Sequence, residues 1–449
     1  MASAVAEPLT RADAAWLHAE APTNHFVVTS LALLDHPVEV ARVLEMLGRR
    51  LDLHPKLRQV VEEPLLPGAA PHWRAARDFD LRAHVHHVGL PAPAGRRELE
   101  ELTADLVGQP LDFGRPLWEV HLVDGPGAGG AVISRFHHAL GDGQAMVKML
   151  LTLTDRTPGG WRRSPSLLAV RRRPDGLASL FGTAAATAGH LLEAPGLVRG
   201  AVSATGTLAR LTLMDPDPTT PLRGPLSMLK RVAWSRPLRL ADVKRLARRT
   251  GATVNDVVVS SIAGAIGEHL AAEGVETAGL RIRAMVPVNL RPPDDTGMSE
   301  NRFSLVYLEL PVGVRDPWER LQRVRHEMRR IKESDEAQVG WLMLRSLGLL
   351  PAQMERAMAG FYSDKASLVL TNVVGPHEPL YLAGERIREM TFWEPESGGL
   401  GVGVSIFSYA GQLVVGMVSD ANLVREPARV IAGVEAAFAE LRVAVRRLR

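Results

Sequence analysis

The sequence predicts an α/β protein, because strand-like and helical patterns alternate in both halves of the chain. In the first half, residues 118–123 and 131–136 are strand-like, and residues 144–153 have helical periodicity. In the second half, a helical segment at 254–272 precedes a strand-like run at 303–312. Strands that alternate with helices are typical of sheets covered by helices. The halves share this architecture without a recognisable sequence repeat.

The length of 449 residues favours two or three domains of about 150 residues each. The composition changes at 165–224, where Arg, Pro, Gly, Ala and Thr dominate and no strand is evident. We therefore predict a helical, Pro-rich linker there, an N-terminal domain at 1–164 and a C-terminal domain at 225–449.

The composition is that of an ordinary globular protein, with 46% hydrophobic and 23% charged residues. The 53 Lys and Arg nearly balance the 50 Asp and Glu, so the formal charge is only +3 and nucleic-acid binding is not indicated. The chain contains no cysteine, which excludes thiol nucleophiles, disulfides and thiolate metal sites.

We expect a cytoplasmic protein without a transmembrane span. The N-terminus has neither a basic nor an apolar region of the kind found in signal peptides. The uncharged window 398–419 is long enough to cross a bilayer, but its glycines and period-two alternation predict two buried strands instead. Arginines at 162–163 and 171–173 form either a solvated arm or a contact with anionic lipid head groups.

The strongest chemical signal is the segment 136–143, Phe-His-His-Ala-Leu-Gly-Asp-Gly, between a predicted strand and a predicted helix. Imidazole has an unperturbed pKa of about 6.5 and can therefore accept and return a hydroxyl proton near neutral pH. The pair His86-His87 lacks a following Asp-Gly. Together with His84 it suggests a metal site, but no acidic partner is near in sequence, so we expect no bound metal.

The pattern H-H-x-x-x-D-G resembles the signature of CoA-dependent acyltransferases of the chloramphenicol acetyltransferase-like superfamily. The resemblance implies that His138 is the general base and that His137 supports it. It also implies that Asp142 forms an ion pair that holds the loop, with Arg291 as the leading partner, rather than a Ser-His-Asp triad. Gly143 leaves the substrate channel free of a side chain.

Further motifs narrow the resemblance to bacterial wax ester synthase/diacylglycerol acyltransferases, over nearly the whole chain. They are Pro116-Leu117-Trp118-Glu119, Asn255-Asp256, the Val286–Pro292 segment with Asn289, Glu300-Asn301-Arg302-Phe303 and Thr371-Asn372-Val373-Val374-Gly375-Pro376. The resemblance implies two chloramphenicol acetyltransferase-like domains, each with a mixed sheet flanked by helices, and an active-site tunnel between them. Candidates for tunnel or oxyanion contacts are Pro116, Leu117, Trp118, Asn255, Asn289, Asn301, Thr371 and Asn372.

Several motif residues also have a structural interpretation. Pro116-Leu117-Trp118 can brace the domain, Asn255 can start a helix, and Thr371-Asn372 can form a turn. The sequence departs from many family members at Gly141, where a larger residue is common.

The resemblance implies transfer of a long-chain acyl group from acyl-CoA to a fatty alcohol or diacylglycerol, giving wax esters or triacylglycerol. Acyl-CoA would be a co-substrate, with no bound cofactor, and the protein would contact a membrane or lipid droplet peripherally. Two alternatives stay open. The acceptor can be a non-lipid alcohol or amine, or the protein can be a non-catalytic lipid-binding protein of the same fold.

Overall fold

The computed structural model describes residues 7–64, 71–125, 129–141, 143–162, 213–290, 303–347, 360–396 and 398–447. Its helices are α1 Arg11–His18, α2 Val40–Arg50, α3 Arg96–Val107, α4 Gly143–Leu153, α5 Leu240–Thr250, α6 Val254–Ala272, α7 Pro317–Glu333, α8 Glu336–Leu347 and α9 Pro427–Arg447. Its strands are β1 Glu7–Pro8, β2 Val27–Leu34, β3 Gln59–Glu62, β4 His72–Ala75, β5 Val85–Gly89, β6 Trp118–Asp124, β7 Gly130–His137, β8 Lys230–Trp234, β9 Leu238–Arg239, β10 Ile282–Asn289, β11 Phe303–Leu310, β12 Leu368–Val374, β13 Tyr381–Leu382, β14 Glu385–Trp393, β15 Val402–Tyr409 and β16 Gln412–Asp420.

The first half is built on a mixed sheet whose strand order, within the described ranges, is β13-β14-β2-β7-β6-β5. All neighbours are antiparallel except β5 and β6, which are parallel. Alternate residues point to opposite faces. One face packs with α2 and α4 in a hydrophobic core, and the other packs against the second half of the chain. A small sheet of β1, β4 and β3 lies apart from it.

The second half is built on another mixed sheet, ordered β11-β10-β12-β15-β16-β8, with β9 also paired to β16. The strands β10, β12 and β15 are parallel to one another. Helices α5, α6, α7 and α9 cover one face and form the largest hydrophobic core with it. The opposite face of β8 and β16 packs against the first sheet and α3, so the two sheets lie one over the other.

Strand β14 connects the two halves. It follows β12 of the second sheet in sequence, yet it pairs with β2 of the first sheet, with Thr391 opposite Leu31 and Trp393 opposite Thr29. The chain then returns to the second sheet as β15. Residues 381–393 therefore complete the first sheet, although they lie within the predicted C-terminal domain. The division at 164 and 225 remains a prediction, and the predicted linker lies largely in 163–212, outside the described residues.

Two local predictions of strands are confirmed. The window 398–419 holds the antiparallel strands β15 and β16. The strand-like runs at 118–123 and 131–136 form the antiparallel neighbours β6 and β7. No helix in the described part of the chain is long and apolar enough to cross a membrane. Helices α3 and α8 and strands β3, β4, β5, β13 and β14 were not predicted from the sequence.

Candidate active site

The histidine motif lies where β7 ends and α4 begins. Strand β7 ends at His137, and a single 3₁₀ turn, His138–Leu140, follows it. The His138 backbone N–H donates to the Phe26 carbonyl at 2.8 Å, which attaches the turn to the residue that precedes β2. His138 is 8% exposed. The imidazole is therefore held on a rigid element and is largely shielded from solvent.

His137 is fully buried and forms part of a network behind the turn. Its Nδ1 accepts the Ala139 N–H at 3.1 Å, and its Nε2 lies 3.6 Å from a Glu20 carboxylate oxygen. The other Glu20 oxygen lies 3.3 Å from His25 Nδ1. Burial alone would raise the pKa of Glu20, but the interactions of its carboxylate with the two histidines outweigh it and leave that pKa below its ordinary value. The geometry thus gives His137 a supporting position.

Gly141 is explained by a close approach between the turn and α4. A Cβ atom built on Gly141 would lie 2.7 Å from the Cβ of Ala145, which is closer than such atoms pack. A larger residue at 141 would require the first turn of α4 to shift. The glycine therefore allows the motif loop to pack tightly against α4.

Glu394 is the carboxylate that the structure brings to the catalytic candidate. Its Oε2 lies 3.9 Å from His138 Nε2, and its side chain is 12% exposed. Glu394 follows directly after β14, so the pairing of β14 with β2 of the first sheet places it near His138. Glu394 was not predicted from the sequence, because 256 residues separate it from His138. The β14–β2 pairing brings the two together.

A mostly apolar cavity of about 110 Å³ lies between the first sheet and helices α2 and α4. Its polar side chains are Ser30, Ser134, Thr154, Thr391 and Glu394. The other lining residues are Val28, Val43, Met46, Leu47, Val120, Val132, Phe136, Met146, Val147, Met149, Leu150, Leu153, Val373, Leu382, Met390, Phe392 and Phe407. Such a lining suits a hydrocarbon chain, with Glu394 marking the end nearest His138.

A smaller cavity of about 20 Å³ meets the first one at Glu394, and a buried charge cluster forms part of its wall. Lys230 Nζ contacts Glu396 Oε2 at 2.6 Å and Asp420 Oδ2 at 3.2 Å, and all three residues are buried. Two carboxylates share one cation there. Burial raises the pKa of Glu396 to about 7, although Lys230 opposes that shift.

The comparisons with known proteins decide the family. Residues 9–258 match the model of the wax ester synthase/diacylglycerol acyltransferase catalytic domain, and residues 299–442 match that of the corresponding C-terminal domain. The chain belongs to this family. The identification as an acyltransferase is thereby confirmed.

Relatives and solved structures agree with that assignment. A protein of Mycobacterium tuberculosis (strain ATCC 25618 / H37Rv), named a probable diacylglycerol O-acyltransferase, tgs1, is 30% identical over 96% of this chain and 95% of its own. The wax ester synthase/diacylglycerol acyltransferase from Marinobacter aquaeolei VT8 matches with a TM-score of 0.72 and 22% identity, over 98% of this chain and 99% of that one. The first condensation domain of the calcium-dependent antibiotic synthetase matches with a TM-score of 0.60 and 18% identity, over 98% of this chain and 96% of that one. These structures confirm the predicted fold class.

In the present chain, a member of the wax ester synthase/diacylglycerol acyltransferase family, the Pro116-Leu117-Trp118 motif supports strand β7, which ends at His137. Leu117 and Trp118 are buried, and the Leu117 carbonyl accepts the His137 N–H at 3.0 Å. Trp118 Nε1 donates to the Leu57 carbonyl at 2.8 Å. Of the two interpretations left open for this motif, the contacts favour the structural one.

Two predicted residues of the second half do lie together. Asn372 Nδ2 donates to Asn255 Oδ1 at 2.8 Å, and the next residue, Val373, lines the apolar cavity. Asn255 does not cap its helix, contrary to the interpretation as a helix-start device. Thr253 is the N-cap of α6 and forms a capping box with Asp256, because its side chain accepts the Asp256 N–H. Asn255 is thus free to pair with Asn372.

The other residues predicted for the site either lie at the ends or in the interior of secondary-structure elements, or fall outside the described residues. Gly143 begins α4, and Thr371 is a buried residue of β12. Asn289 ends β10, where its backbone is described and its side chain is not. Asp142, Arg291 and Asn301 lie outside the described residues, so the ion pair of Asp142 with Arg291 stays a prediction.

The second histidine pair corrects an expectation about acidic partners. His87 Nε2 lies 2.6 Å from Asp124 Oδ2, and His86 lies beside Glu119 and His121 on the neighbouring strand. No acidic partner was expected close to these histidines, because both carboxylates are more than thirty residues away in sequence. The parallel β5–β6 pairing brings them together.

Proposed function

We propose that the protein transfers a long-chain acyl group from acyl-CoA to a fatty alcohol or to diacylglycerol, with His138 as the general base. The observation that carries the proposal is the apolar cavity, which extends to Glu394, 3.9 Å from His138 Nε2. A hydrocarbon chain in that cavity would place its polar end beside the imidazole. Acyl-CoA is a co-substrate in this proposal, with no bound cofactor, in keeping with the family.

The reaction is a single displacement. The acceptor hydroxyl gives its proton to His138 Nε2 as its oxygen forms a bond to the thioester carbonyl carbon. The carbonyl oxygen carries negative charge in the tetrahedral intermediate and requires nearby hydrogen-bond donors. Collapse breaks the carbon–sulfur bond, and the CoA thiolate takes the proton from the imidazolium. Ester and CoA thiol leave, so His138 is regenerated without an acyl-enzyme.

Glu394 positions His138 and stabilises its protonated form in this mechanism. A carboxylate near an imidazole favours the imidazolium that forms during proton transfer. The separation of 3.9 Å is longer than a hydrogen bond, so a substrate hydroxyl can approach the same nitrogen. Glu394 thus acts through His138 and is a positioning residue.

We also propose a cytoplasmic protein that contacts a membrane or lipid droplet surface peripherally, since its substrates partition into such surfaces. The absence of a membrane-spanning helix from the described residues is compatible with this arrangement. Salt or carbonate washes of a membrane fraction should release the protein without detergent. Retention after both washes would contradict peripheral attachment.

The decisive experiment presents purified protein with several acyl-CoAs against fatty alcohols, diacylglycerol and amines, and identifies products by mass. CoA thiol should appear only when an alcohol is present. His138→Ala should lower turnover at least about 10²-fold, the usual contribution of a general base. The matched control is His87→Ala, because His87 belongs to the other His-His pair and is half exposed.

The outcomes separate the alternatives. Ester formation that survives in a folded His138→Ala variant would refute the role of His138. Amide products alone would indicate a non-lipid acceptor, and lipid binding without CoA release would indicate a non-catalytic protein.

A further inference from the structure

A cluster of side chains that can bind a metal lies on the first sheet, on the face opposite the apolar cavity. His86 of β5 is paired in register with His121 of β6, so both side chains leave the sheet side by side. Glu119 lies two residues before His121 and shares its face. On the same strand, Val120 lines the apolar cavity on the other face. The cluster is therefore separate from the acyltransferase site.

The three side chains converge on one point. One ligand atom from each of His86, Glu119 and His121 lies within 4.8 Å of the other two. The imidazole rings of His86 and His121 are stacked, with centroids 4.7 Å apart. Two nitrogens bound to one zinc ion can be at most about 4.2 Å apart, since each lies about 2.1 Å from the metal. To bind one ion, both rings would turn out of this stacked arrangement and direct their nitrogens at the same point.

The buried nitrogen of His121 supports a ligand role. His121 is 7% exposed, and its Nε2 forms no hydrogen bond within the part of the chain that the structure describes. Its nearest acidic atom is Glu119 Oε2 at 3.4 Å. A buried ring nitrogen is normally paired, so one directed into a cluster of potential ligands requires an explanation. His86 and Glu119 are partly exposed, which leaves a path from solvent for an ion.

The charges around the cluster permit a cation. Arg135 Nη1 donates to Glu119 Oε2 at 2.7 Å and also binds the Gln109 carbonyl. Carboxylate ligands commonly accept such an outer hydrogen bond. Arg135 thus orients Glu119 and weakens cation binding without blocking its second oxygen.

We propose that His86, Glu119 and His121 bind one divalent transition-metal ion, with Zn²⁺ as the ion that this ligand set favours. Two histidines and one carboxylate are a known zinc ligand set that leaves a position for water. The ion would join the edge strand β5 to β6 by side chains in addition to their backbone hydrogen bonds. Its role would be to stabilise the pairing of β5 with β6 at the edge of the sheet.

The test is zinc titration of the tag-free full-length protein by calorimetry, with thermal unfolding measured in parallel. His86→Ala and His121→Ala should each bind about one zinc ion fewer per chain, or bind it at least about tenfold more weakly. The matched control is the neighbouring His87→Ala, which should bind zinc like the parent. At a zinc concentration a hundredfold above Kd, the melting temperature of the parent and the control should rise by about 3 °C.

Each outcome decides the proposal. A parent that binds no zinc, or His86→Ala and His121→Ala proteins that bind it like the parent, would overturn it. An equal loss in His87→Ala would assign the binding to exposed histidines and would overturn it as well. If His121→Ala fails to fold, His86→Ala alone decides, because His86 is partly exposed and tolerates truncation.

Discussion

Filling the apolar cavity should change the chain-length preference of the enzyme. Ser134 lies in the middle of β7, opposite Ser30 of β2, and both serines line the cavity floor. Each is only half-buried although the strand is central, because the side chains face open space. Ser134→Phe would place an aromatic ring in that space while its backbone stays in the sheet.

The expected magnitude follows from the volume that the ring occupies. A phenylalanine side chain has five more heavy atoms than serine, so it displaces about five methylene groups of a bound chain at about 0.8 kcal/mol each. The full loss would be about 4 kcal/mol, or roughly 10³-fold in kcat/KM. Partial bending of the chain reduces this, and we expect about 10² to 10³-fold for a sixteen-carbon substrate.

The assay compares kcat/KM for eight-carbon and sixteen-carbon acyl-CoAs with one alcohol, and then for alcohols of both lengths with one acyl-CoA. The series whose long member loses activity identifies the chain that occupies the cavity. Ser134→Ala is the control, because it leaves the space open and should keep the parent ratio. If Ser134→Phe folds and neither ratio changes, no substrate chain enters this cavity.

Two charge variants test the roles of Glu394 and Glu396. Glu394→Gln keeps the side-chain shape and removes the charge, so turnover should fall and the acidic limb of its pH profile should move to lower pH. An unshifted profile would assign Glu394 a purely structural role. The pKa of Glu396 is about 7 in the folded protein, above its ordinary value of 4.5. Between these two pH values the folded state keeps Glu396 protonated while the unfolded state does not. The free energy of unfolding therefore falls as the pH rises from 4.5 to 7. The fall should amount to about 3 kcal/mol and should vanish in Glu396→Gln, as urea unfolding from pH 4.5 to 8 would reveal. Parallel pH curves for parent and variant would contradict the assignment.

The elements that the sequence predicts best are those whose signals are local. Helix α6 has the predicted bounds, and the Thr253 capping box defines where it begins. The strands β15 and β16 were predicted from period-two alternation around Ala410-Gly411-Gln412. The histidine motif at 137–143 was recognised because it is contiguous in sequence.

The elements that sequence analysis missed depend on pairing between distant segments. Strand β14 has exposed charged residues at Arg386 and Arg388, so its sequence lacks a continuous apolar pattern, and its partner β2 lies some 350 residues earlier. The contacts of Glu394 with His138 and of His86 with Glu119 arise from such pairings. No local pattern in the sequence encodes which strands become neighbours.

The glycines of the uncharged window show how the second sheet accommodates β14 and thereby positions Glu394. A Cβ atom on Gly416 would lie 3.0 Å from the Phe392 carbonyl oxygen, and Ser405 donates its hydroxyl to that same carbonyl. The last residues of β14 thus pair with the first sheet while their backbone rests on the second. Glu394 follows at once, so its distance from His138 depends on how the two sheets are packed. A shift of one sheet against the other would move the carboxylate relative to the imidazole, and this makes sheet packing a determinant of the His138 environment.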